Sequence, residues 1–171
     1  MKPEEVSKLS LGIYPTPLER MERLEKRLET GPLYVKREDL CGMGLGGNKV
    51  RKLEYLVQEA LEQGCTTLLT YGGPQTNHGR LTVAAAVRVG MKSVLILDGE
   101  RPERMSGNLI LDGLMGADLR FVGEVDSEGL DREAYRIRYE QKVQDLTQKV
   151  IEEYERRGEK VYVIPVGGSN E

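Results

Sequence analysis

The sequence predicts an α/β chain with parallel sheets flanked by helices. Two observations carry that prediction. From Thr66 onward, short apolar and β-branched runs alternate with stretches of helical periodicity, the pattern of βαβ units. The helical stretches stop at glycines (Gly64, Gly90, Gly116, Gly158), the residue that most easily adopts the left-handed turn closing a helix. Crossovers between such strands are expected to be right-handed.

Taken in order, Leu18, Met21, Leu24 and Leu28 recur at helical spacing and predict an amphipathic helix over Leu18–Glu29, with Pro15 and Pro17 in an extended lead-in. Leu33–Val35 follows a Gly-Pro break and reads as a strand. Four glycines in the six residues from Gly42 to Gly47 must form a loop. Leu53, Leu56, Val57, Ala60 and Leu61 give one helix face that ends at Gly64. Thr66–Tyr71 is a strand, broken by Gly72-Gly73-Pro74, and Asn77–Val89 is a helix. Ser93–Leu97 and Leu119–Val122 are further strands on either side of a helix over Gly107–Met115. The acidic stretch Gly123–Leu130 lacks an apolar pattern and reads as a long loop. Tyr139, Val143, Leu146, Val150 and Tyr154 mark a long helix whose mixed charges form a solvated outer face. Val161–Val166 is a last apolar run.

With 39% hydrophobic and 31% charged residues in 171, the composition is that of a folded domain. A net charge of -3 leaves no electrostatic footprint for nucleic acid. No apolar run approaches the roughly 20 residues needed to span a bilayer. The acidic start, Met1 to Glu5, is not followed by an apolar core and argues against a secretory leader. Cys41 and Cys65 are expected as free thiols in a reducing cytoplasm. The spacing of Cys41, Cys65 and His78 matches no zinc pattern.

The most informative run is Leu45-Gly46-Gly47-Asn48-Lys49, which puts a primary amine directly after a glycine loop. Such an amine can cradle an anion or condense with a carbonyl as a Schiff base. Gly42, Gly44 and Gly47 satisfy G-x-G-x-x-G, but Lys36 to Asp39 separates them from the preceding strand and Glu62 falls on the same helix. A dinucleotide-binding module remains an alternative on that basis, as does a non-catalytic fragment. A Walker loop fails, because Asn48 separates Gly47 from Lys49 and Val50 replaces the Ser or Thr. The second constellation, Gly72 to His78, follows a strand and opens a helix, where open α/β sheets bind ligands. Free N–H groups there suit a carboxylate or phosphate. Thr76 or Asn77 as a plain helix cap explains one polar residue, not four in a row. His78 alone reads as a structural hydrogen-bonder or a catalyst.

Five blocks then appear in order: Lys36-Arg37-Glu38-Asp39-Leu40, Leu45 to Glu54, Gln75-Thr76-Asn77-His78, Gly107-Asn108-Leu109, and Ile164 to Asn170. Together they resemble the D-cysteine desulfhydrase and 1-aminocyclopropane-1-carboxylate deaminase family, pyridoxal-phosphate enzymes of the tryptophan synthase β-like fold. The resemblance covers about Leu11 to Asn170. It implies that Lys49 is the lysine that condenses with the aldehyde of pyridoxal 5'-phosphate and moves a proton at the substrate Cα. It implies that Asn48 lines the pocket, that Asn77 hydrogen-bonds the cofactor's ring oxygen, and that Thr76, Asn77 and His78 receive the substrate carboxylate. The desulfhydrase branch carries His at the position of His78 where the deaminases carry Gln, so β-elimination from a small thiol amino acid is favoured, with 1-aminocyclopropane-1-carboxylate deamination as the alternative. Thr76 departs from the usual Ser and narrows the pocket by a methyl group.

The resemblance further implies a C-terminally truncated fold. Family members have a second half that supplies the phosphate cradle, and this chain is expected to match only the N-terminal half and to bind the cofactor weakly. Residues 1–65 would belong to the large cofactor-binding domain, 66–157 to a small α/β domain, and 158–171 to a strand returning to the large domain. A small amino-acid substrate, a homodimer and a cytoplasmic location complete the expectation.

Overall fold

A computed structural model describes residues 7–126 and 128–168. The chain opens with a strand, β1 (Leu18–Arg20), a short helix, α1 (Glu22–Leu28), and a second strand, β2 (Tyr34–Lys36). β1 and β2 pair antiparallel, with Leu18 opposite Lys36 and Arg20 opposite Tyr34. The helix expected over Leu18–Glu29 is present only from Glu22, and its first residues are a strand instead. Pairing with a strand fourteen residues away gives Leu18–Arg20 its hydrogen bonds, and Leu18 ends 63% exposed rather than in a core.

After β2 come a 3-10 turn (Glu38–Leu40), the glycine loop and helix α2 (Lys49–Glu62). β2 therefore belongs to an antiparallel pair, and the loop follows a 3-10 turn. Neither is the parallel strand and immediate turn that a dinucleotide fingerprint requires. Val50, Leu53, Leu56, Val57 and Ala60 bury one face of α2, while Leu61 falls off it and is exposed. The N-terminal segment is pinned to this helix by Glu54, whose buried carboxylate accepts the backbone N–H of Leu11 (3.0 Å) and of Gly12 (3.2 Å) and pairs with Lys8 (2.8 Å).

The remaining elements are β3 (Thr67–Gly72), α3 (Asn77–Val89), β4 (Lys92–Leu97), α4 (Asn108–Leu114), β5 (Asp118–Phe121), α5 (Arg132–Glu155) and β6 (Val161–Val163). They build one parallel sheet of order β5-β4-β3-β6. The period-2 alternation of a strand buried on both faces sorts its side chains. Leu95 and Leu97 pack with Val83 of α3 and Leu109 of α4, while Val94 and Ile96 pack with Val150 and Tyr154 of α5. The Tyr139–Tyr154 stripe meets the sheet as its spacing predicts. α2 lies on the α3 side, sharing a core with Leu68, Leu81 and Ile164. Cys41 and Cys65 are free and buried.

The strand after Gly158 differs from expectation. β6 pairs with β3, Thr67 opposite Val161 and Leu69 opposite Val163, so it joins the existing sheet instead of leaving it. The segment that reaches the N-terminal part is the turn after β6: Ile164 enters the α2 core, and Val166–Gly168 packs against α2. Ser169 and Asn170 of the fifth sequence block lie outside the described residues.

The glycine loop places the start of α2 through one close approach. A Cβ on Gly46 would lie 2.0 Å from the carbonyl oxygen of Asp39, at a backbone φ of +73°. Gly46→Ala should cost at least ~2 kcal/mol in urea unfolding, because the left-handed backbone and the clash add. Gly31→Ala, where nothing lies within 4 Å, should change stability by less than about 0.5 kcal/mol.

Candidate active site

The sheet order reverses between β3 and β6, and the turns that leave these two strands lie side by side at their carboxyl ends. That is where open α/β sheets carry ligands. The first turn is Gly73–Thr76 and runs into α3; the second is Pro165–Gly168. The start of α2 completes the cleft.

Lys49 is the first residue of α2, half-buried, and its Nζ donates to the carbonyl oxygen of Gly167 at 3.1 Å. Lys52, one turn later on the same face, donates to the same oxygen at 3.1 Å. Two ammonium groups thus converge on one neutral acceptor. Like charges this close repel.

His78 sits beside this pair and is 5% exposed. Its Nε2 is 3.1 Å from Thr70 Oγ1, and that hydroxyl donates its own proton to the Ile164 carbonyl at 2.9 Å. The hydroxyl therefore accepts from His78, so Nε2 carries the proton and Nδ1 holds the lone pair. Nδ1 is buried without a partner among the described residues. Burial, with the positive charges of Lys49 and Lys52 adding to it, lowers the imidazole pKa to about 4, so the ring is neutral at pH 7. Gly168 makes this proximity possible: a side chain there would come to 3.1 Å from His78 Cε1 and 3.2 Å from Leu56 Cδ1, at φ +65°.

The Gln75–Asn77 turn forms the rim. Thr76 caps α3, its hydroxyl accepting from the Gly79 N–H at 3.2 Å. Gln75 and Asn77 face Asn108 at the start of α4. Gln75 Oε1 accepts from the Asn108 N–H (2.9 Å), and Asn77 Oδ1 accepts from Asn108 Nδ2 (3.2 Å). Asn48 precedes α2, exposed and without a side-chain cap bond.

The structure thus brings Lys49 and His78 together, puts Thr76 and Asn77 on the adjoining turn, and leaves Asn48 on the surface. Three participants were not singled out by sequence reasoning. Lys52 was legible, because i,i+3 from Lys49 on a helix means the same face. Thr70 hid as a hydroxyl inside an apolar strand. Asn108 was visible only as one residue of a motif, with no role attached.

Residues 9–171 match the profile of a family described as pyridoxal-phosphate dependent enzyme. The putative 1-aminocyclopropane-1-carboxylate deaminase of Thermotoga maritima is 42% identical over 164 residues, which cover 95% of this chain and 47% of the relative. The mitochondrial bifunctional D-cysteine desulfhydrase/1-aminocyclopropane-1-carboxylate deaminase of Arabidopsis thaliana is 38% identical over 166 residues, 94% of this chain and 38% of the relative. A crystal structure of an ACC deaminase homologue superposes with a TM-score of 0.78 at 32% identity, covering 99% of this chain and 49% of that one. The chain spans about half the length of the curated relatives it matches.

His78 is the one histidine of the chain, so its ring proton resonance is unambiguous. Titrated by NMR, it should move with a midpoint near 4. Between pH 6.5 and 4 the unfolded chain binds a proton that the folded one refuses. Folding stability should therefore fall as pH drops through that window, by up to about 3 kcal/mol from this group. A midpoint near 6.5 would contradict the buried, neutral ring.

Proposed function

The chain belongs to the pyridoxal-phosphate dependent enzyme family, and from that premise we propose that it carries the lysine-bearing part of a lyase or deaminase of small amino acids. The reaction we assign is β-elimination from D-cysteine, giving pyruvate, ammonia and sulfide with uptake of one water. The observation behind this is the pair of amines, Lys49 and Lys52, held at 3.1 Å from one carbonyl beside a buried neutral imidazole.

The residues suit pyridoxal phosphate. An aldehyde needs a primary amine, and Lys49 offers one at a cleft. Lys52 adds positive charge beside it on the same helix face, of the sign that suits an anionic cofactor. His78 Nδ1 is a buried acceptor with no donor among the described residues. When bound, the cofactor supplies an electron sink for the bond broken at the substrate Cα. Lys49 would hold the cofactor through its nitrogen and would be the group that moves the substrate's Cα proton. Asn77 would present its amide to the cofactor ring, and Thr76, Asn77 and His78 at the start of α3 would receive the substrate carboxylate. Asn48 lines the mouth.

His78 is the residue on which the thiol substrate is preferred, and the printed names of the relatives support 1-aminocyclopropane-1-carboxylate as the second reading. The same reading divides the chain into the N-terminal part of the large cofactor-binding domain (1–65) and a small α/β domain (66–157), with 158–171 returning to the large domain. A homodimer acting in the cytoplasm completes the proposal; no helix among the described residues is long and apolar enough to cross a membrane.

Protein mixed with pyridoxal phosphate and reduced with borohydride should carry the cofactor on Lys49 by peptide mass spectrometry, and Lys49→Ala should carry none. Lys52→Met should keep that covalent link while weakening affinity about tenfold to a hundredfold in spectral titration, the worth of one charge-assisted contact. Sulfide released from D-cysteine, measured against ammonia released from 1-aminocyclopropane-1-carboxylate, separates the two substrate readings.

A further inference from the structure

Behind the Gln75–His78 turn lies a buried charged pair that the amine cluster does not use. Asn77 Oδ1 accepts two hydrogen bonds, from Arg80 Nη2 and from Asn108 Nδ2, each at 3.2 Å. The direction of both is fixed by chemistry. A guanidinium has no acceptor, and Asn108 Nδ2 also donates to the carbonyls of Gln75 (2.9 Å) and Thr76 (3.2 Å). The oxygen of Asn77 is therefore turned inward and its NH2 outward, where it has no partner among the described residues.

Arg80 itself is 6% exposed, and its Nε and Nη1 have no hydrogen-bond partner among the described residues. Asp112 of α4 is 0% exposed, and neither of its oxygens has one among them. The two interact electrostatically where α3 packs on α4: burial raises the Asp112 pKa to about 6, and the charge of Arg80 works against that rise. A buried pair this poorly satisfied adds little to stability, and an apolar pair of similar volume would serve the fold as well or better. Packing thus supplies no reason for an arginine here, whereas its one good hydrogen bond ends on Asn77.

We propose that Arg80, which feels the charge of Asp112 across the α3–α4 contact, is a positioning residue that with Asn108 locks the Asn77 amide so that its NH2 stands as a fixed donor facing the cofactor ring. The last clause rests on the reading of Asn77 as a cofactor contact; the lock itself does not.

The test separates the two. Arg80→Met alone would strand the Asp112 charge, so the informative variant is Arg80→Met/Asp112→Leu, which keeps the volume and the fold. In cofactor-free protein, NMR relaxation of the Asn77 side-chain NH2 should show an ordered group in the wild type and in Arg80→Lys, and loss of that order in the double variant. An Asn77 amide that stays ordered without Arg80 overturns the proposal. With pyridoxal phosphate bound, the double variant should shift the pH midpoint of the cofactor absorption by about one unit, in the direction of Asn77→Ala. Adding Asn77→Ala to the double variant should shift it no further, and additive shifts overturn the proposal. If the amide order responds as described but the wild type never takes up pyridoxal phosphate, the lock stands and the cofactor reading fails.

Discussion

One carbonyl oxygen organises this molecule. Gly167 O accepts from both Lys49 and Lys52 across 118 and 115 residues of sequence, and so ties the turn after the last strand to the first turn of a helix laid down far earlier. Three independent constraints bring that oxygen into place. Parallel pairing with β3 sets β6, Ile164 anchors the turn in the α2 core, and the Thr70 hydroxyl holds the Ile164 carbonyl at 2.9 Å. The same hydroxyl receives the proton of His78, so strand, turn and helix meet in one short chain of hydrogen bonds.

The electrostatics of the cluster follow from its burial. Removal from water makes protonation of the imidazole expensive, and two ammonium groups nearby make it more so, which leaves the ring a neutral acceptor. Among the described residues, acidic groups are spent elsewhere: Glu54 on the N-terminal segment, Glu38 on Arg51, Asp118 and Glu153 on Arg120.

Most of the α/β part was legible. Asn77–Val89 begins and ends where its periodicity and Gly90 put it, and the Tyr139–Tyr154 stripe faces the sheet. These elements are dictated by contacts between residues three or four apart or by simple alternation, which a sequence displays directly. The misreadings share a different cause. Leu18–Arg20 looks helical by spacing, yet its backbone partners are Tyr34–Lys36. Val161–Val163 looks like a departing strand, yet its partner is β3. Lys52 was passed over although its spacing from Lys49 placed it on the same face.

From the sequence alone came the class of fold, the amine after a glycine loop and the polar turn opening α3, because each depends on local geometry and on side-chain chemistry that is written in order. Tertiary structure alone decided that Lys49, Lys52 and His78 share one small volume, which imidazole nitrogen holds the proton, and which way the Asn77 amide points. Those properties depend on groups up to 118 residues apart, and no local pattern records which distant carbonyl or hydroxyl will face a given side chain once strands have paired.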